Sequence, residues 1–297
     1  MTLEKKILYN KAQSKKYEWD ASWFGADGFN GDLLTKIKEF QKENGLAPDG
    51  LCGPSTYRRI WTKRQALLDT NYINSFNNQK KYIIHNSDPV EIKWDKVLLW
   101  NDEGGLSSGQ RTYSDRSGKI DRNPSLFVTH WDVCLSSKSC AKVLNKRGLS
   151  VHFCIDNDGT IFQMLDTQHV AFHAGSWNQM SIGVEISTAY SLKYQNWYKR
   201  NGFGERPVWS DAKVHGKTLK PFLGFYDVQL DALAALYEAI SRACSIPLIS
   251  PPEKDYVSNK ISRQEFSGFC SHFHLTRRKI DCAGLDIDAV LEKSKEI

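Results

Sequence analysis

Five short runs of apolar and β-branched residues punctuate the middle of the chain: Tyr82-Ile83-Ile84, Leu126-Phe127-Val128, 151–155, 160–164 and 182–186. Each is bounded by Gly, Asn, Asp or Pro and is too short for a helix, so the runs read as strands. Asp156-Asn157-Asp158-Gly159, lying between two of them, predicts a tight hairpin. Two stretches carry helical spacing instead: 134–149, and Asp227–Cys244 with Val228, Leu233, Leu236 and Ile240 on one stripe. Strands and helices mix without a regular βαβ rhythm. The expected class is α/β, a mixed central sheet flanked by helices. Two polar stretches, 101–124 and 187–224, are long for loops of a compact domain; each is read equally as a groove wall or as an insertion without catalytic consequence.

The first 66 residues follow a different pattern. Leu33, Leu34, Ile37 and Phe40 fall at helical spacing, Gly45 sits where a helix would stop, and Pro48-Asp49-Gly50 supplies turn chemistry. Pro54 then suits the first position of a second helix through Tyr57, Ile60 and Trp61. A small all-α domain at 1–66, a polar linker at 67–80 and a larger domain at 81–297 are the expected divisions.

The net charge of +6 is modest, and residues 1–64 hold 12 basic against 8 acidic side chains. A mildly basic face suits an anionic polymer, and no nucleic-acid-binding motif accompanies it. No stretch reaches the roughly 20 apolar residues of a membrane span, so no membrane insertion is expected. The lysine-rich start has no apolar core of a signal peptide. Seven cysteines without a CxxC spacing are read as reduced thiols.

Three places can carry chemistry: His130 at the end of a strand, Ser271-His272-Phe273-His274 followed by Lys279-Ile280-Asp281-Cys282, and Glu185 near the end of Ser181-Ile182-Gly183-Val184-Glu185. Two histidines and a carboxylate or thiolate suffice for a catalytic zinc with its fourth position left to water. A separate carboxylate can serve as general base and a lysine can steady an oxyanion. Spacing alone leaves many other groupings of eight histidines open.

Ser150-Val151-His152-Phe153, Ile155 through Ile161, Phe172-His173-Ala174-Gly175 and Asn178 through Glu185 occur in an order that resembles the N-acetylmuramoyl-L-alanine amidase family. That family includes amidase-type phage endolysins and shares its fold with peptidoglycan recognition proteins. The resemblance implies one zinc ion on His130, His272 and Asp281, with Glu185 as general base and Lys279 assisting. Asp281 keeps the family spacing to Lys279 and is favoured over Cys282 as third ligand; His274 and His85 are weaker alternatives to the two histidines. His152, His173, Asn178 and Trp131 are expected along the substrate groove. Phe40-Gln41, Asp49-Gly50, Gly53 and Thr56 resemble the helical peptidoglycan-binding repeat, which implies wall binding by the N-terminal module.

The expected activity is hydrolysis of the amide between N-acetylmuramic acid and L-alanine, lysing the bacterial wall. A non-catalytic binding protein and a zinc peptidase acting elsewhere on the stem peptide are the alternatives. Peptidoglycan is the expected partner, and the protein is expected to be a monomer. As an endolysin it would stay in the host cytoplasm until a separate membrane-disrupting protein lets it reach the wall.

Overall fold

The computed structural model describes residues 1–67, 80–119 and 122–297. The expected linker falls almost wholly on 68–79, outside the described residues.

Six strands form the central sheet: β1 (Val97–Leu99), β2 (Leu126–Trp131), β3 (Phe153–Ile155), β4 (Ile161–Gln163), β5 (Ser181–Ile186) and β6 (Gly268–Ser271). Their order across the sheet is β6-β2-β5-β3-β4-β1. All neighbours are parallel except β3 and β4, the hairpin expected around Gly159. Gly159 has φ +80°, and a Cβ there would press into Val228 and Trp94, so glycine is required on both counts. Tyr82–His85 pairs with Asp88–Glu91 in a separate two-stranded ribbon rather than in the sheet.

Strand alternation sorts the sheet into two faces. Phe127 and Trp131 of β2, Phe153 and Ile155 of β3, and Ile182, Val184 and Ile186 of β5 point into one apolar core. That core is closed by α5 (Asp227–Cys244) with Leu233, Leu236 and Ile240, and by α6 (Ile287–Glu296). Thr129 is tied to it through Tyr237, hydroxyl to hydroxyl at 2.6 Å. The opposite face carries Leu126, Val128 and His130 from β2 and Ser181, Gly183 and Glu185 from β5. At one end it is covered by α4 (Ser137–Arg147) over Cys154 and Phe162. The rest of this face is where polar chemistry collects.

The N-terminal residues form α1 (Leu3–Tyr17), α2 (Gly31–Glu43) and α3 (Pro54–Leu67). The lysine-rich α1 has little apolar patterning, yet it is fastened by Asn10, whose side chain donates to Gly50 O and accepts from Cys52 N. The three helices share an apolar cluster with α4, in which Tyr17, Trp19 and Tyr57 meet Cys140 and Leu144. Trp61 Nε1 donates to Ser139 Oγ at 2.9 Å and Thr62 Oγ1 donates to Val133 O at 2.9 Å. The module therefore sits beside the end of β2.

The long stretch 187–224 packs on itself. Tyr194, Trp197 and Tyr198 form a cluster with Leu135 and Leu223. Arg206 lies between the rings of Tyr198 and Tyr226 and donates to Ser187 O and Gly224 O. Among the described residues all seven cysteines are buried free thiols, and no helix is long and apolar enough to cross a membrane.

Candidate active site

Parallel pairing in register sets His130 directly beside Glu185. The end of β6 delivers His272, and the turn after it brings back Asp281. Asp281 Oδ2 lies 3.0 Å from His130 Nδ1 and 3.1 Å from His272 Nδ1, so two imidazole nitrogens and a carboxylate oxygen converge on one point. All three residues are buried. Burial pushes the His130 imidazole down to about 4, with His272 adding to the fall and Asp281 opposing it. Burial alone would raise Asp281, but the two histidines outweigh it and hold this carboxyl well below its usual range. A neutral His130 imidazole and an ionised Asp281 carboxylate are protonation states that suit a divalent cation. The spacing and donor types fit zinc, whose tetrahedral sites use these ligands and leave one position open in catalytic centres.

Cys282, the alternative third ligand, stands outside this convergence. It is fully buried in the core on the α5 side, and its thiol is pushed well up by that burial. His274 is spent structurally: its Nδ1 accepts from Ser271 N and its Nε2 donates to Glu253 O. His85 lies in the outer ribbon, with Nδ1 2.6 Å from Thr167 Oγ1. A second convergence, Asp132 with Cys134 and Cys140, is a poorer metal host. Both Asp132 oxygens already accept hydrogen bonds, from Cys134 N, Thr188 N and Ser187 Oγ. Burial keeps the Cys134 thiol protonated.

Glu185 is 6% exposed and its Oε2 is buried without a hydrogen-bond partner. Burial raises its carboxyl to about 7, Arg58 and Lys279 pull it back, and Asp281 adds to the rise. An orphaned buried carboxylate oxygen is costly, and a group held near 7 at a cleft is a functional candidate. Arg58 belongs to α3, one turn before Thr62, so the N-terminal module lends charge to this site. Arg147, at the end of α4, contributes in the same sense, and its Nε and Nη1 are themselves buried without partners. Sequence reading missed Arg58 and Arg147 because neither lies near the site along the chain and only the docking of α3 on α4 brings them there.

A cavity of about 540 Å³ opens beside the cluster, lined by Leu149, Phe172, His173, Trp177, Asn178, His272, Arg278 and Lys279 among others. Lys279 is exposed on its rim. Asn178 reaches the cavity while its Oδ1 accepts from His173 N and Ala174 N, pinning that turn. His173 lines the cavity edge, but both its ring nitrogens are engaged, with His130 Nε2 at 3.0 Å and Ser181 Oγ at 3.2 Å.

Two groove expectations are corrected. Trp131 is on the other face of β2, 5% exposed and packed against Tyr190 and Phe222, because the alternation that aims His130 at the cleft aims its neighbour away. His152 is fully buried: Nδ1 accepts from Gly183 N and Nε2 lies 3.1 Å from His169 O, to which it donates. Arg122, not singled out from the sequence, donates to Ser181 O and Thr167 O and so ties these two segments together.

The module residues also differ from expectation. Gln41 is 2% exposed; its Nε2 reaches Asp49 Oδ1, Leu51 O and Thr56 Oγ1, and its Oε1 accepts from Gly50 N. Phe40 and Thr56 are buried as well. Gly50 has φ +77°, and a Cβ at Gly53 would come within 3.2 Å of the Tyr9 hydroxyl. These residues build the turn between α2 and α3; Phe40, Gln41, Gly50 and Thr56 leave little of themselves for a polymer to touch, whereas Asp49 is exposed.

Residues 120–264 match the family described as N-acetylmuramoyl-L-alanine amidase, and residues 25–60 match a putative peptidoglycan-binding domain. The first match takes in His130, His173 and Glu185 and ends before His272. No curated protein sequence matches the chain. Among solved structures, a selenomethionine AmpD derivative is 21% identical, covering 65% of this chain and 98% of its own at a TM-score of 0.35. The endolysin amidase LysCS from Clostridium intestinale URNW is 15% identical, with 67% and 95% covered and a TM-score of 0.39. The Ph2119 endolysin from Thermus scotoductus MAT2119 bacteriophage Ph2119 is 15% identical, with 67% and 99% covered and a TM-score of 0.36.

Proposed function

We propose that the chain is a peptidoglycan amidase of the N-acetylmuramoyl-L-alanine amidase family, whose model matches residues 120–264, and that it uses one zinc ion, in the manner of an endolysin, to cut the bond between the lactyl group of N-acetylmuramic acid and L-alanine. The observation that carries the zinc reading is the convergence of His130, His272 and Asp281 beside Glu185, with His272 lining a cavity.

His130, His272 and Asp281 would hold the zinc ion, which when bound would supply Lewis acidity at the scissile carbonyl and lower the pKa of a water toward about 7. Glu185, held at about 7, is poised to take the proton from that water and pass it to the departing alanine nitrogen near neutral pH. Lys279, whose ammonium has no bonded partner among the described residues, stands on the rim where negative charge develops on the carbonyl oxygen and can steady it. Leu149, Phe172 and Trp177 offer apolar walls to the lactyl group and the alanine methyl. The N-terminal helices would hold the enzyme on the wall and raise the local substrate concentration. The same proposal has a monomer acting after a separate membrane-disrupting protein opens the way from the host cytoplasm.

The test is product analysis on purified peptidoglycan. New L-alanine amino termini without new reducing sugar ends, lost in Glu185→Gln, support the reading. New amino termini on another stem residue would indicate a peptidase, and wall binding without release would indicate a binding protein.

A further inference from the structure

His173 stands next to the candidate metal site without belonging to it. Its ring nitrogens are spoken for, so it has no hydrogen bond left for a substrate, and the question is what its own bonds accomplish. A neutral imidazole carries one N–H and one bare nitrogen, and which nitrogen holds the proton follows from the partners.

The chain of contacts has a fixed end. Ser181 Oγ lies 2.8 Å from Trp177 O, and a backbone carbonyl can only accept. The Ser181 hydroxyl therefore donates to Trp177 and accepts from its other neighbour, His173 Nε2 at 3.2 Å. With its proton on Nε2, His173 presents a bare Nδ1 to His130 Nε2 at 3.0 Å. His130 must then carry its proton on Nε2 and leave Nδ1 bare. The reverse order would set the Ser181 oxygen and the Trp177 carbonyl against each other with no proton between them. Bare Nδ1 is the nitrogen aimed at Asp281 Oδ2, 3.0 Å away. Two lone pairs at that separation call for a cation between them.

The β5 sequence provides for this arrangement. Ser181, Gly183 and Glu185 share the site face, and a Cβ at position 183 would fall 2.5 Å from His173 Nδ1. Glycine there leaves the ring room to lie flat against the strand, and Ser181 anchors it.

We propose that His173 is a positioning residue: through the relay Trp177 O–Ser181–His173–His130 it locks His130 in the tautomer and orientation that offer Nδ1 to zinc. The inference rests on the zinc reading above. Partners of this kind tune metal affinity by about 10- to 100-fold.

Zinc affinity of the full chain, measured by competition with a chromogenic chelator, tests it directly and needs no turnover. His173→Ala is expected to weaken binding by about 10- to 100-fold, Gly183→Ala to weaken it by displacing the ring, and Ser181→Ala to weaken it less, in the same direction. The melting temperature of the metal-free protein is followed in parallel, and Ser181→Ala keeps the test decisive should the His173 variant unfold. Wild-type affinity in folded His173→Ala and Ser181→Ala would overturn the relay while leaving the zinc site standing. A wild-type chain that takes up no zinc would overturn the zinc reading and the relay with it.

Discussion

The α1–α3 module and the open face of the central sheet both announce themselves by short motifs, yet the motif residues do opposite things. In the module Phe40, Gln41 and Thr56 are buried, and Gln41 spends its polar atoms on Thr56 and on the 49–51 turn. On the sheet, His130, His272, Asp281 and Glu185 are also buried, but they converge beside a cavity, and Glu185 leaves an oxygen unpartnered. A saturated network specifies a fold, whereas an unsaturated one among titratable groups is poised for a ligand. A recognisable motif therefore says that residues matter without saying whether they face inward or outward.

Substitutions at the two regions should separate along that line. The largest effect belongs to Asp281→Ala, which should abolish zinc uptake and amide hydrolysis together, while Cys282→Ser keeps one zinc per chain by elemental analysis; the opposite result would exchange their roles. Glu185→Gln should lower kcat by about 10²- to 10⁴-fold with zinc content unchanged, and Lys279→Ala by about 10²- to 10³-fold, both read on a soluble muropeptide. Gln41→Ala should cost about 1–3 kcal/mol in folding stability by thermal or denaturant unfolding, with kcat on the same soluble substrate near wild type. A kinetic defect without loss of stability would break the contrast drawn here.

The smallest effect lies where the two regions meet. In the proposed mechanism Glu185 serves as the base and must be ionised, and burial raises its carboxyl to about 7. Activity should therefore rise with pH through about 7 and level off above it. Arg58 favours the ionised form, so Arg58→Gln should move that limb to higher pH. An unmoved limb would mean that the α3 charge does not reach the site.

Much of this was legible along the chain. The strand runs, the 156–159 hairpin and the long helix ending at Cys244 follow from period and turn residues, and the family resemblance implied the grouping of His130, His272 and Asp281 that converges in the structure. The face each residue takes was harder to read. His130 and Trp131 are adjacent, and only pairing against β5 and packing of α5 decide that the histidine meets the cleft and the tryptophan the core. His152 reads as a cleft residue until Gly183 N and His169 O are seen to occupy both its nitrogens. Helix α1 carries too little apolar patterning to be seen and is held by Asn10 contacts some 40 residues away.

The most direct test of the account is anomalous diffraction at the zinc edge from crystals of the full chain grown with Zn²⁺. The account predicts one peak on this face of the sheet, at about 2.0–2.2 Å from His130 Nδ1, His272 Nδ1 and an Asp281 oxygen. A peak bound instead by Cys282, or by Cys134 and Cys140, or no peak beside His130, would contradict it.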